Sequence, residues 1–226
     1  MIELSSIPLI PSPKRGRGRF AAGAIWSPDV IVLHYTAGRN DARTVARMFA
    51  THSRSASAHY VVGRDGAIVQ CVDLDDTSWH AGDGRLPHAE RLAKQDRIPV
   101  KLMHDRAGVL NARSIGIEIC NRGWAPRGRN PYGTAKHRNP DVRSTLWESY
   151  TDAQVEAVRE LVGGLVEALP TLKYITAHED VTHDDVLGKT GGKTDVGPLW
   201  PWSVIDDCGL ARVRYDFAAH EWEVMR

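Results

Sequence analysis

Val30-Ile31-Val32-Leu33-His34-Tyr35 is a short, almost wholly apolar run that breaks at Thr36-Ala37-Gly38. A run of this length, rich in β-branched residues and with no polar face, reads as a strand buried on both sides, and such strands sit in the middle of a sheet. Further along, Ser114 to Cys120 reads Ser-Ile-Gly-Ile-Glu-Ile-Cys. This strict alternation places Ile115, Ile117 and Ile119 on one face of a strand and Glu118 on the other. His59 to Gly63 and Ala67 to Val72 are two more β-type runs around Arg64-Asp65-Gly66, where the Asp-Gly step supplies the positive φ of a tight hairpin. Lys173 to Ala177 reads as a last short strand. Thr151 with Gln154 forms a capping box, and Val155, Val158, Val162, Leu165, Val166 and Leu169 recur behind it at helical spacing, which predicts a helix over about 152–169 ended by Pro170. Gly163 and Gly164 each cost that helix roughly 1 kcal/mol relative to alanine, a cost that close packing on the sheet would explain. A second helix is expected near 42–51, capped by Asn40 or Asp41. Alternating strands and helices give an α/β class: a single domain with a central mixed β-sheet flanked by helices.

The chain has 226 residues, 42% of them hydrophobic, enough for one sizeable core without disulfides. Its 29 Lys and Arg against 28 Asp and Glu leave a formal net charge of +1, so no whole-surface attraction to nucleic acid is expected. No apolar stretch approaches the roughly 18 residues of a membrane span. The run Ile7 to Ile10 is interrupted by Pro8 and ended by Pro11, so a secretory signal peptide is not expected either. Cys71, Cys120 and Cys208 are odd in number and unpaired by spacing, which fits synthesis in a reducing compartment and argues against a cysteine-built zinc site. Residues 1–29, rich in Pro, Gly, Ser and Arg, read as a flexible basic N-terminal arm. The segments at about 82–112 and 121–150 carry no clear periodicity and read as functional rims or insertions.

Ten histidines make a metal site worth seeking. His34 shares a face with Val30 and Val32 at the end of the buried strand, and His178 ends the run at 173–177. Strand ends are where open sheets place their sites. His178-Glu179-Asp180-Val181-Thr182-His183 is not a metalloprotease H-E-x-x-H pair: its histidines are five residues apart and diverge by about 140° on a helix. His178 with Asp180 could suggest a 2-His-1-carboxylate iron site, but nothing else supports an oxygenase. Downstream, Gly191 to Pro198 offers Asp195 as an oxygen ligand, with Lys193 two residues before it. Two histidines and one carboxylate would leave a tetrahedral zinc ion one open position, as a catalytic site requires.

Seven segments in order carry a family resemblance. They are Ile31–Gly38, Ser57–Gly66, Trp79-His80-Ala81-Gly82, Arg113–Glu118, Tyr150–Gln154, Ala177–Val181 and Lys193–Pro198. Together they resemble the zinc-dependent N-acetylmuramoyl-L-alanine amidases of the amidase-2 type, which include phage endolysins and cytoplasmic recycling amidases, with peptidoglycan recognition proteins as distant relatives. The resemblance implies one zinc ion in a groove at the strand ends, held by His34, His178 and Asp195. It implies Glu118 as general base and Lys193 as the group stabilising the oxyanion, with peptidoglycan or a muropeptide as substrate. Ala58 stands where some phage members carry a catalytic tyrosine, so the form of the mechanism that uses Glu118 and Lys193 is implied. Tyr60 alternates to the opposite face from His59 and is not counted as catalytic. His80 and Trp79 border the site in the family. His80 is read as a substrate contact or a structural histidine, and Trp79 as packing on the groove floor. His59 reads as structural. The implied catalytic domain covers 30–202, and 203–226 is expected to pack on it or trail from it.

The implied activity is cleavage of the amide between N-acetylmuramic acid and the L-alanine of the stem peptide. Its expected setting is a phage or prophage endolysin released through a holin pore; the alternative is a cytoplasmic anhydro-muropeptide recycling amidase. A reading of another class is a peptidoglycan-recognition domain that binds without cutting. Oligomeric state leaves no signature in the sequence.

Overall fold

The structure is a computed structural model and describes residues 2–16, 27–38, 40–52, 56–82, 109–124, 132–182 and 192–225. Its strands are β1 (Arg15–Gly16), β2 (Val30–Tyr35), β3 (Tyr60–Val62), β4 (Ile68–Gln70), β5 (Thr77–Ser78), β6 (Ser114–Ile119), β7 (Tyr132–Thr134), β8 (Leu146–Glu148), β9 (Tyr174–Ala177), β10 (Ala211–Asp216) and β11 (Glu221–Met225). Its α-helices are α1 (Ala42–Thr51), α2 (Val109–Arg113), α3 (Asp152–Ala168) and α4 (His178–Val181). Seven strands form one sheet in the order β11-β10-β9-β2-β6-β3-β4, with β7-β8 and β1-β5 as two-stranded satellites. Strands β10, β9, β2, β6 and β3 are parallel, and β11 and β4 each close an edge in antiparallel. The mixed sheet of the sequence reading is therefore present, with the Val30–Tyr35 strand at its centre.

The two faces of the sheet divide the labour. Ile31 and Leu33 of β2, Ile115, Ile117 and Ile119 of β6, and Ile175 of β9 are buried in one core with Val158, Leu161, Val162 and Leu165 of α3. On the opposite face Val30 and Val32 pack with Val181, Val213, Tyr215 and Trp222, and Val61 and Val69 lie under Ala42, Val45 and Ala46 of α1. The α3 N-terminus carries the capping box expected of Thr151 and Gln154, and Asp41 caps α1, accepting from the backbone N–H of Thr44 at 2.9 Å. The Asp65-Gly66 turn joins β3 to β4 with Gly66 at φ +82°. At the start of the parallel core, Asp29 pairs with Arg113 through two side-chain hydrogen bonds, and its backbone N–H donates to the Arg113 carbonyl.

Four expectations need correction. Over its described part, 2–16, the N-terminal segment is docked rather than a free arm. The N–H groups of Ile10 and Ser12 donate to Gln70 and Cys71, Gln70 N–H donates back to Pro8, and β1 pairs with β5. The prolines prevent a helix, but an extended chain suits the free edge of β4, which would otherwise expose unpaired backbone. Residues 17–26 lie outside the described part. The run at 173–177 is not the last strand: β10 and β11 continue the same sheet, so 211–225 completes its edge. The 121–150 segment contains the β7-β8 hairpin, with Trp147 and His137 buried. Nearly all of the 82–112 segment lies outside the described residues, which resume at Val109. Finally, the glycines of α3 do not meet the sheet. A Cβ on Gly164 would stand 3.0 Å from the Ile2 carbonyl oxygen, whereas one on Gly163 would meet nothing within 4 Å.

That difference gives a test. Gly163→Ala is expected to raise stability by about 1 kcal/mol through helix propensity alone. Gly164→Ala should gain nothing or lose stability by pushing the N-terminal turn off α3. Thermal or urea denaturation of the two variants distinguishes these outcomes.

Candidate metal centre and active site

The parallel strands β2, β6 and β9 end on one side of the domain, and the polar cluster gathers there, as strand ends favour. His34 is the penultimate residue of β2 and pairs in register with Glu118 of β6. Because Ile115, Ile117 and Ile119 take the α3 face, Ser114, Gly116 and Glu118 must share the face of Val30, Val32 and His34. His178 lies one residue beyond β9, as the first residue of α4 rather than the strand's end. Asp195 arrives on a loop fixed from three sides. Glu179 N–H donates to the Asp195 carbonyl (2.6 Å), Gly197 N–H donates to the Glu179 carboxylate (3.2 Å), and the Tyr150 hydroxyl donates to the Val196 carbonyl (2.8 Å). Tyr35 and Thr194 join their hydroxyls at 2.5 Å beside it.

One donor atom each from His34, His178 and Asp195 falls within 4.8 Å of the others, and all three side chains are buried. Asp195 Oδ2 stands 2.9 Å from His178 Nδ1 and 3.3 Å from His34 Nδ1. Donors held about 2.1 Å from a tetrahedral zinc ion stand about 3.4 Å apart, so the donor types and the two Asp195 separations suit such an ion. Glu118 Oε2 is buried and has no hydrogen-bond partner among the described residues. An unpartnered carboxylate oxygen beside three converging ligands suits a group that handles a proton. Lys193 is exposed, two residues before Asp195, and its positive charge reaches both Glu118 and His34.

The electrostatics follow from burial. Burial and then the negative charge of Asp195 push the Glu118 pKa up to about 8, against a smaller lowering by Lys193. Burial, followed by the proximity of His178, lowers His34 to about 4. Burial alone would raise Asp195, but the neighbouring histidines, His178 by charge and hydrogen bond above all, outweigh it and hold the carboxylate well below its usual range.

His59, His80, Glu179 and Asp180 are held by hydrogen bonds around the cluster. His59 Nδ1 accepts from the Gly116 N–H at 3.0 Å, so His59 Nε2 donates to the Asp76 carbonyl at 3.2 Å; its structural reading stands. The Tyr60 side chain is buried in the α3-side core, away from the cluster. His80 is 8% exposed, with its ring nitrogens 2.8 Å from His34 Nε2 and Ser114 Oγ. That engagement leaves neither nitrogen for a substrate. Trp79 differs from its expected place on the groove floor: it is 39% exposed, with its indole beside Gly16 of β1. Asp180 turns away from the cluster and accepts from Arg138 (2.6 Å) and from the Tyr215 N–H (2.9 Å), which disposes of the iron reading. His183 lies outside the described residues.

Sequence reading missed Glu179, which accepts from His137 at 2.8 Å and from Arg138 at 2.7 Å while holding Gly197. Burial opposes its ionisation, but the hydrogen bonds and charges of His137 and Arg138 prevail and keep its pKa below the usual value. It also missed Ser114 and Asn111 around His80, although the alternation of β6 already put Ser114 on the Glu118 face.

An α/β sheet with one His-His-Asp centre at its parallel strand ends, and a buried glutamate beside it, defines the class. The chain belongs to the N-acetylmuramoyl-L-alanine amidase family (Amidase_2), whose model matches residues 26–198. It is 30% identical over 148 residues to the 1,6-anhydro-N-acetylmuramyl-L-alanine amidase AmpD of Escherichia coli K12, a match taking in 65% of this chain and 55% of that protein. It is 26% identical over 188 residues to the N-acetylmuramoyl-L-alanine amidase AmiD of the same organism, covering 80% of this chain and 53% of that one. The chain thus spans about half the length of the curated relatives it matches. The fold is shared with a solved complex of E. coli AmiD and the substrate anhydro-N-acetylmuramic acid-L-Ala-D-gamma-Glu-L-Lys, at TM-score 0.53 and 24% identity over 84% of this chain and 60% of that one. Among the described residues no helix is long and apolar enough to cross a membrane.

The opposed shifts of Glu118 and His34 give a pH dependence. In the metal-free protein Glu118 titrates near 8 instead of 4.5, so the folded state keeps a proton that the unfolded chain releases, and stability falls as pH rises across that interval. His34 titrates near 4 instead of 6.5, so its contribution grows as pH rises and is complete by about 6.5. Between pH 6.5 and 8 the Glu118 loss stands alone of the two. Urea denaturation of metal-free protein should show stability falling over that window, and Glu118→Gln should flatten the fall.

Proposed function

We propose that this protein is a zinc-dependent amidase that hydrolyses the bond between the lactyl group of N-acetylmuramic acid and the L-alanine of the peptidoglycan stem peptide. The observation that carries this reading is the convergence of His34, His178 and Asp195 beside the unpartnered Glu118 carboxylate oxygen. His34, His178 and Asp195 would hold the ion. Bound zinc supplies Lewis acidity, polarising a carbonyl and making water a better nucleophile. Glu118 takes a proton from the attacking water as the new carbon–oxygen bond forms, and returns it to the amine nitrogen as the carbon–nitrogen bond breaks. Its raised proton affinity suits a group that must both accept and give. Lys193 supplies a positive charge for the oxyanion of the tetrahedral intermediate. The Glu179–Arg138–His137 group keeps the Asp195 loop at the distance these roles need.

The proposed setting is an endolysin acting on intact wall. A second reading, a recycling amidase for soluble anhydro-muropeptides, is favoured by the name of the AmpD relative. Both use the same chemistry, and substrate access separates them.

Glu118→Gln is expected to lower amide hydrolysis by about 10²–10⁴-fold while zinc content stays near one per chain, whereas His34→Ala should lose the metal as well. Assays on purified sacculi and on soluble anhydro-muropeptide distinguish the readings. Turnover of sacculi supports the endolysin, turnover of the soluble substrate alone supports recycling, and binding without turnover points to a recognition domain.

A further inference from the structure

We propose that His80 is a positioning residue for the metal centre: it accepts the Nε2–H of His34 and so leaves His34 Nδ1 as the nitrogen that presents a lone pair to the ion. This rests on reading His34, His178 and Asp195 as the ligands.

The assignment starts from a group with no choice. The Leu110 carbonyl only accepts, and Ser114 Oγ stands 2.5 Å from it, so the single hydroxyl proton of Ser114 is spent there. Ser114 Oγ therefore accepts from His80 Nε2, 2.8 Å away. A neutral imidazole carries one N–H, so His80 Nδ1 is an acceptor. The atom facing it at 2.8 Å is His34 Nε2, which must bring the proton. His34 Nδ1 is then the bare nitrogen, and it faces Asp195 Oδ2 across 3.3 Å as one lone pair faces another, an opposition that a cation between them would relieve. The opposite tautomer would direct an N–H into the ligand cluster and would have to be displaced before any metal could bind.

The surroundings hold the His80 ring to this task. The Asn111 carboxamide oxygen accepts from the backbone N–H of both His80 (3.1 Å) and Ala81 (2.7 Å), fixing the chain on one side. Gly116 of β6 lies against the ring: a Cβ there would stand 2.5 Å from His80 Cγ, so any larger residue at 116 would push the ring off the sheet. Leu110, Asn111 and Ser114 all come from α2 and the first residue of β6, so one short segment sets both the place and the tautomer of His80.

Three measurements test this on the full chain. In metal-free wild-type protein, the long-range nitrogen–proton NMR pattern of His34 should be that of the Nε2–H tautomer; the Nδ1–H pattern would overturn the proposal. In zinc competition against a chromophoric chelator, His80→Leu should bind about 10–100-fold more weakly. His80→Asn, whose side-chain oxygen can occupy the place of Nδ1, should recover most of that loss. Equal zinc affinity of folded His80→Leu and wild-type protein would overturn the proposal, as would equal weakening in both variants. If wild-type protein takes up no zinc, the metal reading falls instead, and the NMR pattern still decides the tautomer.

Discussion

The register of β2 on β6 is the constraint on which the site depends. Side chains alternate with a period of two, so a one-residue slip would send His34 and Glu118 to opposite faces. What prevents the slip is apolar. Ile31, Leu33, Ile115, Ile117 and Ile119 are all fully buried beneath α3, and each such side chain is worth about 1.5–3 kcal/mol against exposure. The Asp29–Arg113 pair sets the same register at the strands' beginning. The chemistry of one face is therefore held in place by the oil of the other.

That arrangement has an electrostatic cost, and the structure spreads it. Asp195, Glu118 and Glu179 all lie in or beside the same buried region, where an uncompensated charge is expensive. Asp195 is balanced chiefly by His178, and Glu179 by Arg138 and His137. Glu118 keeps one oxygen without a hydrogen-bond partner among the described residues, and burial, then the negative charge of Asp195, raises its proton affinity. A group kept poised in this way is useful in a reaction and wasteful in a scaffold.

Much of this was legible in the sequence where the signal is local. The apolar run at Val30, the alternation through Glu118, the Asp65-Gly66 turn and the Thr151/Gln154 box each encode geometry over a few residues. Of the expected site residues, His34, His178, Asp195 and Glu118 do come together, His80 takes the structural one of its two readings, and Trp79 lies exposed beside β1 instead of on the groove floor. What escaped reading involves partners far apart in the chain. Gly164 is small because Ile2 lies across it, and the prolines of the N-terminal segment are ordered only because β4 offers an open edge. His80 is defined by Ser114 and Leu110, and no periodicity links them. The hairpin of β7 and β8 is short and half-polar, so its burial comes from Trp147 and His137 rather than from a pattern.

Arg138 connects more of the molecule than any ligand does. Its guanidinium donates to Glu179, to Asp180 and to the Tyr215 carbonyl of β10, while its neighbour His137 completes the grip on Glu179. The 132–148 insertion, α4 and the C-terminal strands therefore meet at one planar cation. An exchange of that insertion between related chains would not behave as the swap of an independent cassette. The graft would have to bring its own guanidinium and imidazole at the same spacing, or leave two acids stranded in the recipient.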